Sequence, residues 1–309
     1  MRISVTYLYT IQKFGYPPGP GDDLKAITEL SRMGFRYLEM EALGPEHARH
    51  IRQACRELKA CLADHGMHVH NFCCVDPELV NLDPHCRRAA YDGFRRTAET
   101  AAELGAETLH LASYPPPVNY PHGSPYQLGK TYTFGTARTI HLPDEFQWQA
   151  VWTALVESCR HTADIAGEYG RTVLMEPRVG EVICSVDSMI RLLDEVDRQN
   201  LKANFDTAHF SAQRENVILA LAKLQGRYAN IHIADNDPST AEHLGIGEGS
   251  IDWDEFFRVL KLHDYQGYLG LDHGAHNGDL AGELRRSAER LMVMAGARGI
   301  ALEGLECDR

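Results

Sequence analysis

The chain has 309 residues, of which 44% are hydrophobic, so it is long enough to bury one large core. Its formal net charge of -12 disfavours nucleic acid and anionic membrane surfaces as partners. No run approaches 18 apolar residues, the first ten residues are too polar for a signal peptide, and the eight cysteines form no CxxC pair, so we expect a cytoplasmic protein with reduced thiols.

Short strand-like runs alternate with longer helical patterns along the whole chain. The predicted strands lie at 3–9, 37–42, 67–74, 107–113, 172–177, 201–206, 228–235 and 268–273. The predicted helices lie near 22–33, 46–65, 84–104, 145–169, 186–198, 214–224, 253–263 and 279–295. Eight βα units without a compositional break predict a single α/β domain over residues 1–309, folded as one closed (β/α)8 TIM barrel.

Capping residues support these borders. Asp83 before Pro84 predicts a helix N-cap, and Asp252 with Glu255 resembles a capping box. Four glycines are placed to end helices with a positive φ shortly before the next strand, namely Gly34, Gly66, Gly105 and Gly170.

Two connections are unusually long, at residues 10–21 and at 114–143, the latter between the fourth strand and its helix. Both follow a strand, so in a barrel both rise over the face that carries active sites. The longer one is rich in aromatic residues, namely Tyr114, Tyr120, Tyr126, Tyr132 and Phe134. It is either a proline-stiffened surface loop or a lid, a stacking wall for a ring-shaped substrate, or a subunit contact. The sequence leaves these alternatives open.

Polar side chains lie near the ends of the last four predicted strands. Glu176 and Asp206 end two runs joined by a helical span, which places both at the same edge of one parallel sheet. His232 and Asp272 lie near the ends of the next two strands. The neighbours that would then face the helices are apolar, namely Phe205, Ile231, Ile233, Leu269 and Leu271. We therefore expect the four polar side chains to converge inside the barrel.

Three carboxylates and one imidazole suit a single divalent ion, with Mn²⁺ as the first candidate and Mg²⁺, Co²⁺ or Zn²⁺ as alternatives. Without a cation, carboxylates this close would repel and raise one another's pKa. Taken singly, each residue is equally well explained as a hydrogen-bonding group at a barrel rim. Their recurrence in four consecutive strands at matching depth favours the metal site.

Five motifs resemble those of the xylose-isomerase-like barrel superfamily, which includes sugar-phosphate isomerases and epimerases, ketose 3-epimerases, inosose dehydratases and endonuclease IV. They are EP at 176–177, FDTAH at 205–209, NIHIAD at 230–235, HLGIGEGSIDW at 243–253 and GYLGLDH at 267–273. The resemblance covers nearly the whole chain and is specific for fold and metal site, but not for substrate.

The resemblance implies that Glu176, Asp206, His232 and Asp272 hold one divalent metal ion. In the ketose epimerases the strand-five and strand-eight carboxylates also form the acid/base pair, so Glu176 and Asp272 are expected to be catalytic. His209 of the DxxH motif is expected to contact a substrate oxygen. The chain departs from those relatives at Asp272, where they usually have Glu, so its ligand role is firmer than its role as a proton carrier.

A second departure replaces the epimerases' EPLN with EPRVGE, which puts Arg178 and Glu181 where a sugar-contacting segment would be. We expect Arg178 to bind substrate. The turn-rich stretch GIGEG at 245–249 is expected to position His243, which is a further substrate-binding candidate.

The chemistry implied is abstraction of a proton next to the carbonyl of a sugar or oxo-sugar, with a metal-stabilised enediolate. Reprotonation of the enediolate makes the protein an isomerase or epimerase. Expulsion of a neighbouring group makes it a lyase, such as an inosose dehydratase or an enzyme that cleaves oxo-glycosides or C-glycosides. The aromatic loop at 114–143 favours a substrate larger or more apolar than a free tetrose or pentose.

An endonuclease IV-like zinc phosphodiesterase is the alternative of another class. His70, His110, His209 and His243 match histidines that help to hold three zinc ions in that enzyme. Ala241 replaces an Asp of that set, and the negative charge gives no footprint for DNA. We therefore expect His70 and His110 to bind substrate or act as acid/base groups, or else to be structural.

The remaining alternative is a barrel that binds a sugar or a partner without chemistry, which the complete set of four ligands disfavours. Many relatives form dimers or tetramers or join a second subunit. We therefore expect a homo-oligomer or a complex with a second subunit, and a small-molecule sugar substrate.

Overall fold

The computed structural model describes residues 1–121, 139–237, 242–274 and 278–306. Eight strands form a closed barrel in the order β1 to β8, and each strand is parallel to its neighbours. The predicted (β/α)8 TIM barrel is therefore confirmed. In the described part of the chain, none of the helices is both long enough and apolar enough to cross a membrane.

The strands are short, and the helices lie between them in sequence. The strands are β1 Arg2–Val5, β2 Tyr37–Leu43, β3 His68–Val75, β4 Thr108–Ala112, β5 Thr172–Glu176, β6 Leu201–Asp206, β7 Tyr228–Ile233 and β8 Tyr268–Leu271. The helices are α1 Leu8–Phe14, α2 Asp22–Arg32, α3 Gly44–Asp64, α4 Pro84–Leu104, α5 Trp148–Glu168, α6 Val186–Val196, α7 Thr207–Ala212, α8 Val217–Lys223, α9 Trp253–Leu262 and α10 Leu280–Ala297. A 3₁₀ turn at Pro77–Val80 precedes α4.

Alternation along the strands separates an apolar row from a polar row. Phe205 is in register with Ile231, Ile231 with Leu269, and all three are fully buried. One residue further along, Asp206 is in register with His232 on the opposite side of the sheet. Burying each large apolar side chain contributes roughly 1.5–3 kcal/mol, so this row fixes the register that turns Asp206 and His232 toward the barrel axis.

The predicted helix borders hold where capping residues mark them. Asp83 accepts a hydrogen bond from the backbone N–H of His85, and Asp252 accepts one from the N–H of Glu255. Gly34 has a φ of 93°, and a Cβ at this position would lie 2.5 Å from the carbonyl oxygen of Glu306. Gly66, Gly105 and Gly170 also have positive φ. These signals are local, so sequence alone could locate them.

Two short helices correct the predicted elements. β1 ends at Val5, and Leu8–Phe14 forms α1 where a strand to residue 9 and then a loop from 10 to 21 were predicted. Tyr9 and Ile11 are buried on α1, and the Tyr9 hydroxyl donates to Glu29 on α2, so packing outweighs the β-propensity of this aromatic segment. The second helix is α7, which follows β6 without a break.

Some predicted features fall outside the described residues. The connection between β4 and α5 includes residues 122–138, and with them Tyr126, Tyr132 and Phe134. Ala241 is also outside the described residues. The extension of one domain over all of residues 1–309 stays a prediction.

Candidate active site at the mouth of the barrel

Three of the four predicted metal-ligating residues form one buried cluster. Glu176 and Asp206 end β5 and β6, and His232 lies one residue before the end of β7. One donor atom of each lies within 4.8 Å of the other two. Their side chains are buried, with 2%, 1% and 4% of the residue exposed. The parallel strands thus bring these donors together, as the sequence predicted.

His232 joins two carboxylates. Its Nδ1 lies 2.7 Å from Oε1 of Glu176, and its Nε2 lies 2.9 Å from Oε2 of Glu39 on β2. Burial lowers the pKa of His232, but the two carboxylates outweigh burial and raise that pKa well above its usual range. The contact with Glu39 fixes the orientation of the imidazole ring, as outer partners of metal-ligating histidines do.

Glu176 is held from several sides. Its Oε1 accepts a hydrogen bond of 2.7 Å from the side-chain amide of Asn204, and its Oε2 is paired with the guanidinium Nε of Arg178. Nε2 of His110 lies 3.6 Å from the same Oε2. Burial raises the pKa of Glu176, but Arg178, His232 and His110 together lower it well below its usual range. Glu176 is therefore an ionised carboxylate sheltered from water.

The two carboxylate oxygens of Asp206 differ, because one is hydrogen-bonded and the other has no hydrogen-bond partner among the described residues. Its Oδ1 caps α7 by accepting a 2.7 Å hydrogen bond from the backbone N–H of His209. Its Oδ2 is buried and has no hydrogen-bond partner among the described residues. Burial raises the pKa of Asp206 to about 7, and the nearby Glu176 and Asp272 add to the shift. A buried polar atom without a partner costs about 1–3 kcal/mol, so this oxygen beside Glu176 and His232 fits a divalent cation.

Asp272, the fourth predicted ligand, follows directly after β8 and has other partners. Its Oδ1 accepts a 2.5 Å hydrogen bond from the Thr6 hydroxyl, and its Oδ2 lies 2.8 Å from Nδ1 of His243. Burial raises the pKa of Asp272, but His243 lowers it below its usual range. Asp272 is not part of the three-residue cluster, so its roles as metal ligand and as proton carrier stay predictions.

His209 and His243 lie together beside Asp206. Their rings meet edge to face with centroids 5.0 Å apart, and donor atoms of the two histidines and Asp206 lie within 4.8 Å of one another. Burial lowers the pKa of His209 to about 3. Burial also lowers the pKa of His243, but Asp272 and Asp206 outweigh it and raise that pKa to about 9. Both predicted substrate contacts therefore lie next to the cluster.

The loop that carries His243 is folded around Asp235. This carboxylate accepts hydrogen bonds from the N–H of Gly247, the N–H of Ile251 and the indole N–H of Trp253. Gly249 packs so closely that a Cβ there would lie 2.5 Å from the backbone nitrogen of Asn236. These contacts agree with the expectation that GIGEG is a turn-rich loop that positions His243.

His110 and His70 lie deeper in the barrel. The ring of His110 is 5.3 Å from that of His232, and burial lowers the pKa of His110. His70 stacks on the ring of Tyr268 at 3.8 Å, and its Nε2 lies 3.5 Å from Glu39. Burial lowers the pKa of His70 to about 4. His110 is thus adjacent to the cluster, whereas His70 lies beside Glu39, which in turn contacts His232.

Glu39 is the main residue of the site that sequence reasoning missed. It is 2% exposed and accepts 2.9 Å hydrogen bonds from the side-chain amides of Asn71 and Asn230, besides its contact with His232. The stretch YLEMEA indicates this residue, because Glu39 and Glu41 alternate on a strand whose other residues are apolar or aromatic and would therefore share one face.

Glu181 anchors the start of the long β4–α5 connection. Its Oε2 accepts hydrogen bonds from the N–H and hydroxyl of Ser113 and from the N–H of Tyr114. Tyr114 lies just after β4 with a φ of 58°, and its carbonyl oxygen accepts a hydrogen bond from the backbone N–H of Val182. The segment EPRVGE therefore fixes where the aromatic connection leaves the barrel.

Comparisons with known proteins identify relatives. A family model described as xylose isomerase-like TIM barrel matches residues 27–293. An inosose dehydratase of Clostridium perfringens is 24% identical over 135 residues, which is 38% of this chain and 46% of the relative. The hydroxypyruvate isomerase of Escherichia coli K12 is 26% identical over 136 residues, which is 42% of this chain and 51% of the relative. The chain thus spans about half the length of the curated relatives that it matches.

One similar solved structure is the apo form of 3-keto-D-glucoside 4-epimerase from E. coli. Its TM-score is 0.72 at 18% sequence identity, and the match covers 95% of this chain and 99% of that chain. At this identity the likeness establishes the barrel fold.

Proposed function

Because this chain belongs to the xylose isomerase-like TIM barrel family, we propose that it is a divalent-metal-dependent isomerase or epimerase of a sugar or oxo-sugar. The observation that carries the proposal is the buried cluster of Glu176, Asp206 and His232, which includes a carboxylate oxygen with no hydrogen-bond partner among the described residues. The relatives named as a hydroxypyruvate isomerase and an inosose dehydratase support the same class of chemistry.

Glu176, Asp206 and His232 would hold the metal ion, with Asp272 as the fourth ligand that the family resemblance implies. Two or three carboxylates with one imidazole suit Mn²⁺ best, and Mg²⁺, Co²⁺ and Zn²⁺ remain alternatives. A divalent ion bound here supplies a Lewis acid that polarises the substrate carbonyl.

Glu176 is the proton acceptor in this proposal. Arg178 and His232 keep it ionised, and its burial excludes water that would otherwise compete for the proton. Its contacts with Asn204 and Arg178 fix the carboxylate in one orientation before substrate binds. A proton removed from the carbon next to the carbonyl would pass to this carboxylate and leave an enediolate.

The histidines around the cluster would bind the substrate. Burial keeps His209 and His110 neutral, so each can accept or donate a hydrogen bond to a hydroxyl or carbonyl oxygen. His243 is held by Asp272, which makes it a hydrogen-bond donor toward that side. Arg178, already paired with Glu176, adds positive charge at the edge of the site.

A lyase is the second candidate, by the same first step. Several relatives are named inosose dehydratase, and the EPRVGE segment departs from the epimerase pattern. In this variant the enediolate expels a group from the adjacent carbon of an oxo-sugar or oxo-glycoside.

The subunit contact predicted at the long connection has support in exposed apolar residues. Ile140, Leu142 and Trp148 lie close together in sequence and are 45%, 57% and 43% exposed. Exposed apolar residues mark interaction surfaces where they form one patch. We infer a homo-oligomer or a complex with a second subunit through this segment, which light scattering of wild type and of a Leu142→Ser variant would test.

The decisive experiment measures deuterium incorporation from D₂O into ketoses, inososes and 3-oxo-glycosides with Mn²⁺ present. We expect exchange at the carbon next to the carbonyl in at least one substrate, abolished by chelation and by Glu176→Gln. The exposed Glu145→Gln provides a control with the same change of charge. Absence of exchange from every substrate would remove the proposal, and robust incision of abasic-site DNA after zinc loading would replace it with the phosphodiesterase.

A further inference from the structure

Glu41 shares the inner face of β2 with Glu39. Side chains two residues apart on a strand point to the same side, and Glu39 reaches His232 across the barrel interior. The register pairs Glu41 with Cys73 on β3, and Cys73 with His110 on β4, which in turn lies beside Glu176. Glu41 therefore belongs to the inner row of side chains that leads to the candidate site.

Glu41 differs from Glu39, Glu176 and Asp272 in its contacts with other side chains. Within the part of the chain that the structure describes, no hydrogen bond or ion pair involves its side chain. Glu39, Glu176 and Asp272 each have two or more partners. Glu41 is also only partly buried, whereas Glu39 and Glu176 are both 2% exposed.

The electrostatic surroundings of Glu41 place it at the edge of the same site. Burial raises the pKa of Glu41 to about 7, Arg178 opposes the shift, and Glu176 adds to it. Burial also raises the pKa of Tyr16 to about 12, with Glu41 contributing. Tyr16, from the segment before α2, and Arg178, from the segment after β5, therefore lie near Glu41.

The position of β2 in the ring gives Glu41 a place across from Glu176. In an eight-stranded ring both β2 and β8 are three strands away from β5, so Glu41 and Asp272 both face Glu176 across the mouth. Asp272 is bound to Thr6 and His243. Of these two carboxyl groups, Glu41 is the one whose oxygens are available to a substrate.

We propose that Glu41 is the second proton carrier of the site and delivers a proton to the substrate from the side opposite Glu176. The proposal rests on the proposed function. Glu176 takes the proton from carbon, and the electron pair of the C–H bond becomes part of the enediolate. In the second half-reaction the O–H bond of Glu41 breaks and its proton goes to the substrate, leaving Glu41 as a carboxylate.

The destination of the proton depends on the reaction. In an epimerase it forms a new C–H bond on the opposite face of the same carbon. In a lyase it goes to the oxygen that departs with the electron pair of its C–O bond. After the product leaves and water enters the site, Glu176 loses its proton to water and Glu41 regains one from water, which restores both groups.

The test compares Glu41→Gln with wild type on the substrate found by deuterium exchange. We expect exchange into recovered substrate to stay within about threefold of wild type, because Glu176 still removes the proton, while net conversion falls by about 10²–10⁴-fold. Glu41→Asp keeps a carboxyl group and should recover part of the conversion. Glu46→Gln, an exposed glutamate in the first turn of α3, should behave as wild type.

One further measurement separates this role from that of a metal ligand. Mn²⁺ affinity of Glu41→Gln by calorimetry should equal that of wild type, because Glu41 is not a metal ligand in the proposal. Normal conversion by Glu41→Gln, or a parallel loss of exchange and conversion, would overturn the inference but leave the proposed function standing. Absence of exchange in wild type would instead remove the proposed function. If Glu41→Gln does not fold, the same comparison of exchange with conversion is made on Glu41→Asp, where equal losses of both contradict the inference.

Discussion

Replacing Glu39 by Gln tests whether the residue missed in the sequence holds the site together. Glu39 accepts three hydrogen bonds of 2.9 Å, from Asn71, Asn230 and His232. A Gln has one oxygen, so its NH₂ group must face at least one of these donors. Losing a charge-assisted bond costs about 1.5–3 kcal/mol and an unpaired buried donor about 1–3 kcal/mol. We expect the free energy of unfolding of the metal-free protein to fall by about 2.5–6 kcal/mol.

The same substitution should weaken metal binding although Glu39 is not one of the predicted ligands. His232 would lose the partner that orients its ring, and loss of such partners typically lowers metal affinity by about 10–100-fold. Urea unfolding measures the first effect and Mn²⁺ calorimetry the second, with Glu145→Gln as the exposed control. Unchanged stability together with unchanged Mn²⁺ affinity would refute the role assigned to Glu39.

Three further predictions concern other parts of the molecule. Gly249→Ala should destabilise the protein by about 1–3 kcal/mol in urea unfolding, because the added Cβ would clash with Asn236. Gly296→Ala in helix α10 should instead stabilise the protein by about 0.5–1 kcal/mol, because no atom lies within 4 Å of the added Cβ. Equal effects of the two substitutions would contradict the packing argument. Burial raises the pKa of Asp23 to about 6, so the stability linked to its protonation is present below its usual pKa of 3.8 and lost as the pH rises to about 6. Asp23→Asn should therefore gain stability relative to wild type between pH 4 and pH 7, by up to about 3 kcal/mol, and a pH-independent difference would count against this. Mn²⁺ at 100 times its Kd should stabilise wild type by about 2.7 kcal/mol. Asp206→Asn should abolish this gain without unfolding the metal-free protein. A full gain in the variant would remove Asp206 from the ligand set.

The barrel could be predicted because its signals are local and repeated. Strand-like runs such as 201–206 and 228–235 place apolar residues on one face, and burial of Phe205 and Ile231 confirms that face. The failure at Leu8–Phe14 has the same origin, since a seven-residue aromatic segment fits both a strand and a short helix. Packing of Tyr9 against α2 decides between them, and contacts of that kind are not visible in the local pattern.

The site could be predicted only in part, because strand register places some of its donors and contacts with distant segments engage others. Glu176, Asp206 and His232 come together through strand ends and register alone. The partners of Asp272 come from distant segments, since Thr6 follows β1 and His243 lies on a loop folded around Asp235. No pattern within 267–273 could show that these partners would engage the carboxylate.

Asp206 shows that a local contact that matters for function can also be missed in the sequence. The stretch FDTAH predicts a carboxylate and a histidine three residues apart, but not that the carboxylate also caps a helix. In the structure Oδ1 of Asp206 binds the backbone of His209, which leaves Oδ2 for the cluster and fixes His209 beside it. Asn is also a good N-cap, so Asp206→Asn can keep this local geometry while it removes the charge. Loss of Mn²⁺ stabilisation in that variant would therefore report on the ligand oxygen and not on the helix.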